Sequence, residues 1–226
     1  RGESVSDTAK ALSRYVDAIL LRTTSHDSLQ ELAANATVPV INALSNLYHP
    51  TQAIADMLTV YEQKGRWRGV KLTYVGDGNN VAHSLMIAGA MLGMEVTIAS
   101  PAKYAPDRMI TVKALAAAQE NGGKIIITED VDQAVAGADF IYTDVWCSMG
   151  FEAENEQRLK DFADYQVNDR LVSLAKPDYT FMHCLPANRG QEVSASVIDG
   201  PNSVVFDEAE NRLHAHKAIL LKLLGQ

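Results

Sequence analysis

The sequence predicts an α/β protein with doubly wound parallel sheets, made of one complete C-terminal domain and part of an N-terminal α/β domain. Three observations indicate this. Short β-branched runs alternate with longer amphipathic stretches almost to the C-terminus. Runs such as KIIIT are apolar without alternation, as expected of strands that are covered on both faces. The charged, glycine-containing segment Glu62–Gly69 (EQKGRWRG) separates a long helix from a new strand and indicates a hinge.

The individual elements follow from these patterns in chain order. The β-branched runs predict strands at Asp17–Leu21, Val38–Ile41, Lys71–Val75, Glu95–Ala99, Lys124–Thr128, Phe140–Thr143 and Thr180–His183. The amphipathic stretches predict helices at Ser28–Ala34, Pro50–Lys64, Asn80–Leu92, Arg108–Asn121, Asn155–Phe162 and Ala209–Leu224. Pro50 suits the first turn of its helix, where a backbone N–H has no partner in any case. The expected division is an incomplete unit at residues 1–48, an interdomain helix at 49–64, a complete domain at 65–207, and a C-terminal helix at 208–226 that packs back on the first unit.

Composition restricts the class of partner. The chain has 226 residues and a net charge of −8, which disfavours nucleic acid and anionic membranes as partners. No apolar run approaches the roughly 20 residues that span a bilayer. The two cysteines form no disulfide framework and no paired zinc spacing, so we expect a reducing compartment. The opening residues lack an initiator Met, and we expect them to continue a longer protein.

Polar residues follow five of the predicted strands. They are Arg22 after the first strand, His49 and Gln52 after the second, Asn80 in GDGNN, Asp144 and Ser148 in DVWCSMG, and Cys184 in FMHCLP. Each has an ordinary structural explanation, such as a helix cap or a small buried thiol. Because ligands of open α/β sheets bind beyond the C-terminal ends of the strands, we expect the five to line one crevice.

Other kinds of site are less well supported. Gly76 and Gly78 fit two positions of a dinucleotide fingerprint, but Val81 occupies the third, so a nicotinamide-dependent oxidoreductase is the weaker alternative. His183 cannot activate Cys184, since successive strand side chains point to opposite faces. A zinc site would need more ligands than these two residues and the distant Cys147. The pair formed by His214 and His216 is expected to be solvated surface.

Several motifs taken together resemble a known family. YHPTQAIADMLTVYE, GDGNN, DVWCSMGFEAE, FMHCLP and VFDEAENRLHAHKAIL occur in the order and at the distances found in the aspartate/ornithine carbamoyltransferase family. The combination of HCLP with D-x-x-x-S-M-G resembles the ornithine-using members, and the likeness covers essentially all of the chain. It implies carbamoyl transfer from carbamoyl phosphate to the δ-amine of L-ornithine, giving L-citrulline, with no cofactor and no metal.

The resemblance also implies roles for particular residues. The catalytic residues would be Cys184, Asp144, Arg22 and His49. Carbamoyl phosphate would be bound by Arg22, His49, Pro50, Thr51, Gln52, Cys184, Leu185 and Arg212. Ornithine would be bound by Asn80, Asp144, Ser148 and Met149. Arg22 and His49 would donate hydrogen bonds to the carbamoyl oxygen. Cys184 would orient the δ-amine and serve as a sink for its proton, without a covalent intermediate.

The chain departs from the family pattern in two respects. The Ser-Thr-Arg-Thr-Arg phosphate loop is absent from these 226 residues, so we expect the chain alone to be inactive. Asn188 stands where many members have His, and Cys147 stands where Val is common. A carbamoyltransferase for another amine, such as putrescine or an acylated ornithine, and a non-catalytic relative remain alternatives. The resemblance implies a homotrimer or a higher multiple, and a cytoplasmic location, or a mitochondrial one if a transit peptide lies upstream.

Overall fold

All strands of the protein are parallel and belong to two sheets. A computed structural model describes residues 2–147 and 152–225. Its strands are β1 (Ile19–Arg22), β2 (Val40–Leu44), β3 (Lys71–Val75), β4 (Glu95–Ala99), β5 (Lys124–Thr128), β6 (Phe140–Thr143) and β7 (Thr180–His183). β1 pairs with β2, and the other five form one sheet in the order β5-β4-β3-β6-β7. The predicted α/β class with doubly wound parallel sheets is confirmed.

Ten helices connect and cover the strands in the described part of the chain. They are α1 (Val5–Leu12), α2 (His26–Asn35), α3 (Pro50–Lys64), α4 (Asn80–Met91), α5 (Arg108–Asn121), α6 (Val131–Val135), α7 (Asn155–Asp161), α8 (Asp169–Val172), α9 (Ala195–Ile198) and α10 (Val205–Leu224). The sequence analysis missed α1, α6, α8 and α9. α1, α6 and α8 begin at side-chain caps: Ser4, Asp130 and Asn168 each accept a backbone N–H of the first turn.

The strands of the larger sheet have the predicted bounds, whereas β1 and β2 begin two residues later than predicted. Pairing starts where the Ile19 N–H donates to the Pro39 carbonyl at 2.9 Å. Arg22 is the last residue of β1 rather than the first residue after it, and it lies opposite Leu44 across an irregularity in the register. Its side chain nevertheless leaves from the C-terminal end of the sheet.

The core lies on both faces of the five-stranded sheet. On one face Leu72, Tyr74 and Ile98 pack against α3, α4 and α5. On the other face Val75 and Ile141 pack against α6, α8 and α9. In β3, β4 and β6 both faces are covered and nearly every residue is buried, which explains the absence of polar alternation. β5 lies at the edge of the sheet and one of its five residues is buried, so the expectation that KIIIT is covered on both faces is wrong.

α3 connects the two sheets and packs against α10. It ends at Gly65, whose φ of +67° lies in the left-handed region that favours glycine. In the predicted hinge segment, the Trp67 indole N–H donates to the Met57 carbonyl at 2.7 Å, which ties the segment to α3. Asn211 of α10 donates to Thr59 and Glu62 of α3. The domain boundaries stay predictions.

Among the helices of the described residues, none combines the length and the apolar character that crossing a membrane requires.

Candidate active site

Cys184 and Asp144 meet at the C-terminal ends of two neighbouring strands. Thr143 of β6 lies opposite His183 of β7, so the residues that follow these two are also neighbours. The Cys184 thiol donates to Asp144 Oδ1 across an Sγ–O distance of 3.2 Å. The topology of the sheet therefore brings together a thiol and a carboxylate that are 40 residues apart in sequence.

Asp144 accepts three hydrogen bonds. Besides the thiol, the backbone N–H of Val145 donates to Oδ1 at 2.8 Å, and the side-chain amide of Asn79 donates to Oδ2 at 2.8 Å. Asn79 also caps α4, because its Oδ1 accepts the first backbone N–H groups of that helix. Gly78 allows this turn, since a Cβ there would lie 2.3 Å from the backbone nitrogen of Pro106. Asp144 is thus held in one orientation by fixed donors.

The predicted ornithine residue Asn80 does not join this network. Its side-chain amide donates to the Ser45 carbonyl just beyond β2 at 2.8 Å, so it connects the two sheets instead. Asn79, which the sequence analysis did not name, is the asparagine that contacts Asp144, and the ornithine-binding role of Asn80 stays a prediction. The two neighbouring asparagines could have been distinguished by helix-cap preference, because the cap residue points its side chain back across the strand ends. Ser148 and Met149 lie outside the described residues.

The Cys184 thiol keeps its proton. Burial, followed by the negative charge of Asp144, raises the pKa of this thiol well above its usual value. A protonated thiol is a hydrogen-bond donor and cannot accept a further proton unless it gives up its own. If Cys184 takes a proton from an amine, its own proton must therefore pass to Asp144, and the expected role of Cys184 as a proton sink stays a prediction.

His183 supports the backbone rather than the thiol. Its ring Nδ1 accepts the backbone N–H of Leu185 at 2.8 Å, so the proton lies on Nε2, which contacts Glu192 at 3.3 Å. Glu192 is fully buried and also accepts the backbone N–H of Asn188. Leu185 has a φ of +56° and precedes a cis peptide bond to Pro186. His183 makes no hydrogen bond to the thiol, because its ring nitrogens contact Leu185 and Glu192. A ring nitrogen nevertheless lies within 4.8 Å of the thiol sulfur, so these partners, and not opposite faces of a strand, account for the missing bond.

Three buried polar atoms at the start of α3 and within it lack partners in the part of the chain that the structure describes. They are His49 Nδ1, Gln52 Oε1 and Asp56 Oδ2. The amide nitrogen of Gln52 donates to Asp56 at 2.8 Å and to Glu208 at 3.3 Å, which leaves its oxygen as the available acceptor. Buried polar atoms are normally paired, so an unpaired donor or acceptor at strand ends indicates a place for a ligand. Pro50 and Thr51 fix the start of the helix, Thr51 by donating to the Ala43 carbonyl.

Positive charge gathers around His49. The pKa of His49 is lowered to about 4. The largest cause is burial, and the positive charges of Arg212, Arg22 and His216 lower it further. The imidazole is therefore neutral near pH 7 and can donate a hydrogen bond without carrying a charge of its own. This electrostatic coupling also places Arg22 and Arg212, from β1 and α10, in one region.

A cleft of about 700 Å³ opens beside the thiol. It is lined by residues that follow β7 and by the first half of α10, namely Cys184, Leu185, Pro186, Ala187, Arg189, Phe206, Ala209, Arg212 and His216. Three of these were predicted to bind carbamoyl phosphate. His216 was expected to be solvated; it lies one helical turn after Arg212 and faces the cleft, whereas His214 is exposed. The four-residue spacing from Arg212 was the signal that could have found it.

Arg158 contacts described residues on both sides of positions 148–151. The buried Arg158 donates to the Trp146 carbonyl at 2.9 Å, to Asp77 at 2.7 Å and to Glu154 at 3.1 Å. Asp77 belongs to the same GDGNN turn as Asn79. Two ion pairs and one hydrogen bond to a carbonyl therefore connect the turn after β3 with Trp146 and Glu154.

Among the described residues, one group of side chains could hold a metal ion. It consists of Asp144, His183 and Cys184, whose possible ligand atoms lie within 4.8 Å of one another. Both ring nitrogens of His183 are engaged by Leu185 and Glu192. The arrangement therefore fits a hydrogen-bond network rather than a metal centre.

Comparison with known proteins identifies the family. Residues 1–62 match the aspartate/ornithine carbamoyltransferase carbamoyl-P binding domain, and residues 68–223 match the Asp/Orn binding domain of the same family. The chain is 58% identical over 224 residues to the ornithine carbamoyltransferase of Halalkalibacterium halodurans, covering 99% of this chain and 70% of that protein. It is 59% identical over 225 residues to that of Pyrococcus abyssi, covering 100% of this chain and 71% of that protein.

The solved structure of ornithine carbamoyltransferase from Pyrococcus furiosus superposes with a TM-score of 0.97 at 58% identity, covering 100% of this chain and 72% of that one. Sequence identity and superposition therefore agree over the whole chain. This chain belongs to the aspartate/ornithine carbamoyltransferase family, among the ornithine carbamoyltransferases.

Proposed function

We propose that this protein transfers the carbamoyl group of carbamoyl phosphate to the δ-amine of L-ornithine, giving L-citrulline and phosphate by direct attack. The observation that carries the proposal is the Cys184–Asp144 contact beside a cleft that Arg212 lines, in a chain of this family. Carbamoyl phosphate is already activated, so a covalent enzyme intermediate is unnecessary. The neutral thiol of Cys184 also disfavours one, because the thiolate is the nucleophilic form.

The carbamoyl end of the site is proposed to lie between α3 and α10. Arg22 and His49 donate to the carbamoyl oxygen, on which negative charge develops during attack; one such donor typically contributes about 2.7–4 kcal/mol. His49 suits this role because its low pKa leaves it neutral, so it adds a donor without an additional charge. The unpaired Gln52 Oε1 accepts from the carbamoyl NH2 group. Arg212 and Leu185, which line the cleft, complete this pocket.

The amine end is proposed to lie at Asp144. An alkylammonium has a pKa of about 10.4, so it must lose a proton before it can attack. The Asp144 carboxylate binds the δ-ammonium and accepts this proton through Cys184: Sγ takes the proton from nitrogen while its own proton passes to Asp144 Oδ1, across the 3.2 Å contact. The neutral amine then forms the N–C bond, the bond from carbon to the bridging phosphate oxygen breaks, and the departing phosphate takes the second proton, which the attacking nitrogen loses.

The amino-acid head of ornithine is proposed to bind at Asn80 and at the segment of Ser148 and Met149. Asn80 faces the Ser45 carbonyl between the two sheets, so binding ornithine would require this amide to exchange its partner. We also propose that the protein assembles as a homotrimer or a higher multiple, which sedimentation analysis would test.

A direct assay tests the proposed reaction. Citrulline formation should be observed with the full-length protein, carbamoyl phosphate and ornithine, and it should fall strongly when putrescine or N-acetylornithine replaces ornithine. A preference for either replacement would assign the protein to a different amine. Oxidation or reduction of a nicotinamide cofactor without citrulline formation would contradict carbamoyl transfer itself.

A further inference from the structure

Two buried carboxyl groups meet beneath Gln52. Asp56 of α3 and Glu208 of α10 are both fully buried. The Gln52 amide nitrogen donates to Asp56 Oδ1 at 2.8 Å and to Glu208 Oε1 at 3.3 Å. Glu208 accepts two further hydrogen bonds, from the Tyr142 hydroxyl at 3.0 Å and from the backbone N–H of His183 at 2.9 Å. Two helices and two strands of the larger sheet therefore converge on this carboxyl pair.

The pair cannot hold two negative charges without a large cost. No hydrogen bond from a lysine or arginine reaches either carboxyl group among residues 2–147 and 152–225. Burial is the main cause that raises the pKa of Asp56 to about 7 and the pKa of Glu208 well above its usual value. Two interacting buried carboxyls that titrate together retain one shared proton near neutral pH.

The pattern of donors leaves a place for this proton between the two carboxyl groups. Both oxygens of Glu208 accept hydrogen bonds from fixed N–H or O–H donors. Asp56 Oδ2 is buried and faces no donor in the described part of the chain. A proton shared between Asp56 Oδ2 and Glu208 removes this deficit, and the negative charge of Asp56 raises the pKa of Glu208 further, which favours a shared proton over two ionised groups.

We propose that Asp56 and Glu208 share one proton and that this pair fixes the orientation of the Gln52 amide, which makes both of them positioning residues for the carbamoyl group. A side-chain amide can present either its oxygen or its nitrogen. Two acceptors on one side of Gln52 hold the nitrogen there, so the oxygen faces the site. The inference rests on the proposed function, in which that oxygen accepts from the carbamoyl NH2 group.

The fixed amide oxygen selects between similar ligands. An NH2 group can donate to Gln52 Oε1, whereas a methyl group of about the same size cannot, and it would leave this buried acceptor unpaired. The pair thereby favours carbamoyl phosphate over an acyl phosphate such as acetyl phosphate. A merely structural role of Asp56 and Glu208 would not produce this selectivity.

Calorimetry with two stable analogues, one of carbamoyl phosphate and one of acetyl phosphate, measures this selectivity. Phosphonoacetamide carries the NH2 group, and 2-oxopropylphosphonate carries a methyl group in its place. On the full-length protein, we expect phosphonoacetamide to bind about tenfold more tightly, as the penalty for an unpaired buried acceptor suggests. The ratio of the two dissociation constants reports on the orientation of Gln52 even in a variant that has lost overall affinity.

The variants separate the positioning role from packing. Asp56→Asn retains an oxygen for Gln52 and an N–H in place of the acid O–H, so the ratio should stay near tenfold. Asp56→Leu removes both groups, and Glu208→Gln turns an NH2 group toward fixed donors, so both should reduce the ratio to about one. Asn211→Ala is the matched control, because Asn211 joins the same two helices without contacting Gln52.

Retention of the tenfold ratio in Asp56→Leu would overturn the proposal, as would an equal loss in Asp56→Asn and Asp56→Leu. Infrared spectroscopy tests the proton independently of substrate and of the folding of the leucine variant. The C=O stretch of a protonated carboxyl should be present in the wild-type protein and absent from Asp56→Asn; its persistence in Asp56→Asn would place the proton elsewhere and refute the pair as described. If the wild-type protein binds neither analogue, the proposed function is wrong. The infrared result would still show whether Asp56 and Glu208 share a proton.

Discussion

Replacing Asp144 by asparagine should disable the amine end of the site while leaving the fold intact. The carboxylate accepts from Cys184 at 3.2 Å, from the Val145 N–H at 2.8 Å and from Asn79 at 2.8 Å. An asparagine has one oxygen, so in either orientation its NH2 group faces a fixed donor. Asn79 cannot turn to relieve this conflict, because its own oxygen caps α4. One buried donor left unpaired costs about 1–3 kcal/mol in the free energy of unfolding.

The effect on catalysis should be larger than the effect on stability. A carboxylate and an ammonium about 4 Å apart interact by about 4 kcal/mol at an effective dielectric constant of about 20. Losing most of this attraction lowers kcat/KM for ornithine by roughly 10²–10³, since each tenfold corresponds to about 1.4 kcal/mol. We expect a higher KM for ornithine and a lower kcat, with the KM for carbamoyl phosphate nearly unchanged.

Steady-state citrulline formation measures this effect in the full-length protein, with ornithine varied at saturating carbamoyl phosphate. Asp132→Asn is the matched control, because Asp132 is an exposed aspartate whose ion pair with Arg170 lies on the surface. Urea denaturation of both variants separates a loss of folded protein from a loss of chemistry. If folded Asp144→Asn shows kcat and KM for ornithine within twofold of the wild-type values, the role given to Asp144 is wrong.

Three further predictions concern the rest of the site. Cys184→Ala should lower kcat by about 10²-fold, the lower end of general acid–base contributions, while circular dichroism stays unchanged; near-normal turnover would remove the proton relay. Burial lowers the pKa of His49 from 6.5 to about 4, so the unfolded chain binds the proton more readily and stability is lost as pH falls from about 6.5 toward 4. His49→Gln should remove up to about 3 kcal/mol of this loss, and urea titrations at pH 7 and pH 4.5 that show the same difference between variant and wild type would contradict it. Arg158→Leu leaves Asp77 buried without its ion-pair partner and should cost about 3–5 kcal/mol in the free energy of unfolding, whereas Arg170→Leu on the surface should cost at most about 1 kcal/mol in the same denaturation experiment.

The sequence predicted the central strands of the larger sheet because burial on both faces leaves a direct mark on composition. The run at Lys71–Val75 is such a strand, with four of its five residues buried. The run at Lys124–Thr128 also has the predicted bounds, but it is an edge strand with one buried residue of five, so its apolar composition does not reflect burial on both faces. The short helices α6, α8 and α9 leave no such mark, since four or five residues cannot establish a helical period. Their caps at Asp130 and Asn168 were the available signal, but such residues are also common in turns.

For the site, sequence reasoning identified residues at the strand ends but could not assign their partners. The contact between Cys184 and Asp144 follows from the parallel pairing of β6 with β7, which the strand order determines and a single sequence does not reveal. α4 begins at Asn80, as the sequence predicted. The residue before it, Asn79, is therefore the cap, and its amide rather than that of Asn80 donates to Asp144.

The departures from ordinary packing rules lie close together, which is itself an argument about function. The positive φ of Leu185, the unpaired atoms of His49 and Gln52, and the carboxyl pair of Asp56 and Glu208 all belong to the strand ends and to the helices beside them. Each departure costs stability that the well-packed core on both faces of the sheet offsets. A ligand that donates to Gln52 and exchanges a hydrogen bond with His49 would recover part of this cost. The protein thus retains unsatisfied groups where carbamoyl phosphate is proposed to bind, whereas Asp144, at the amine end, already accepts three hydrogen bonds, so the amine must share that carboxylate with donors that are already in place.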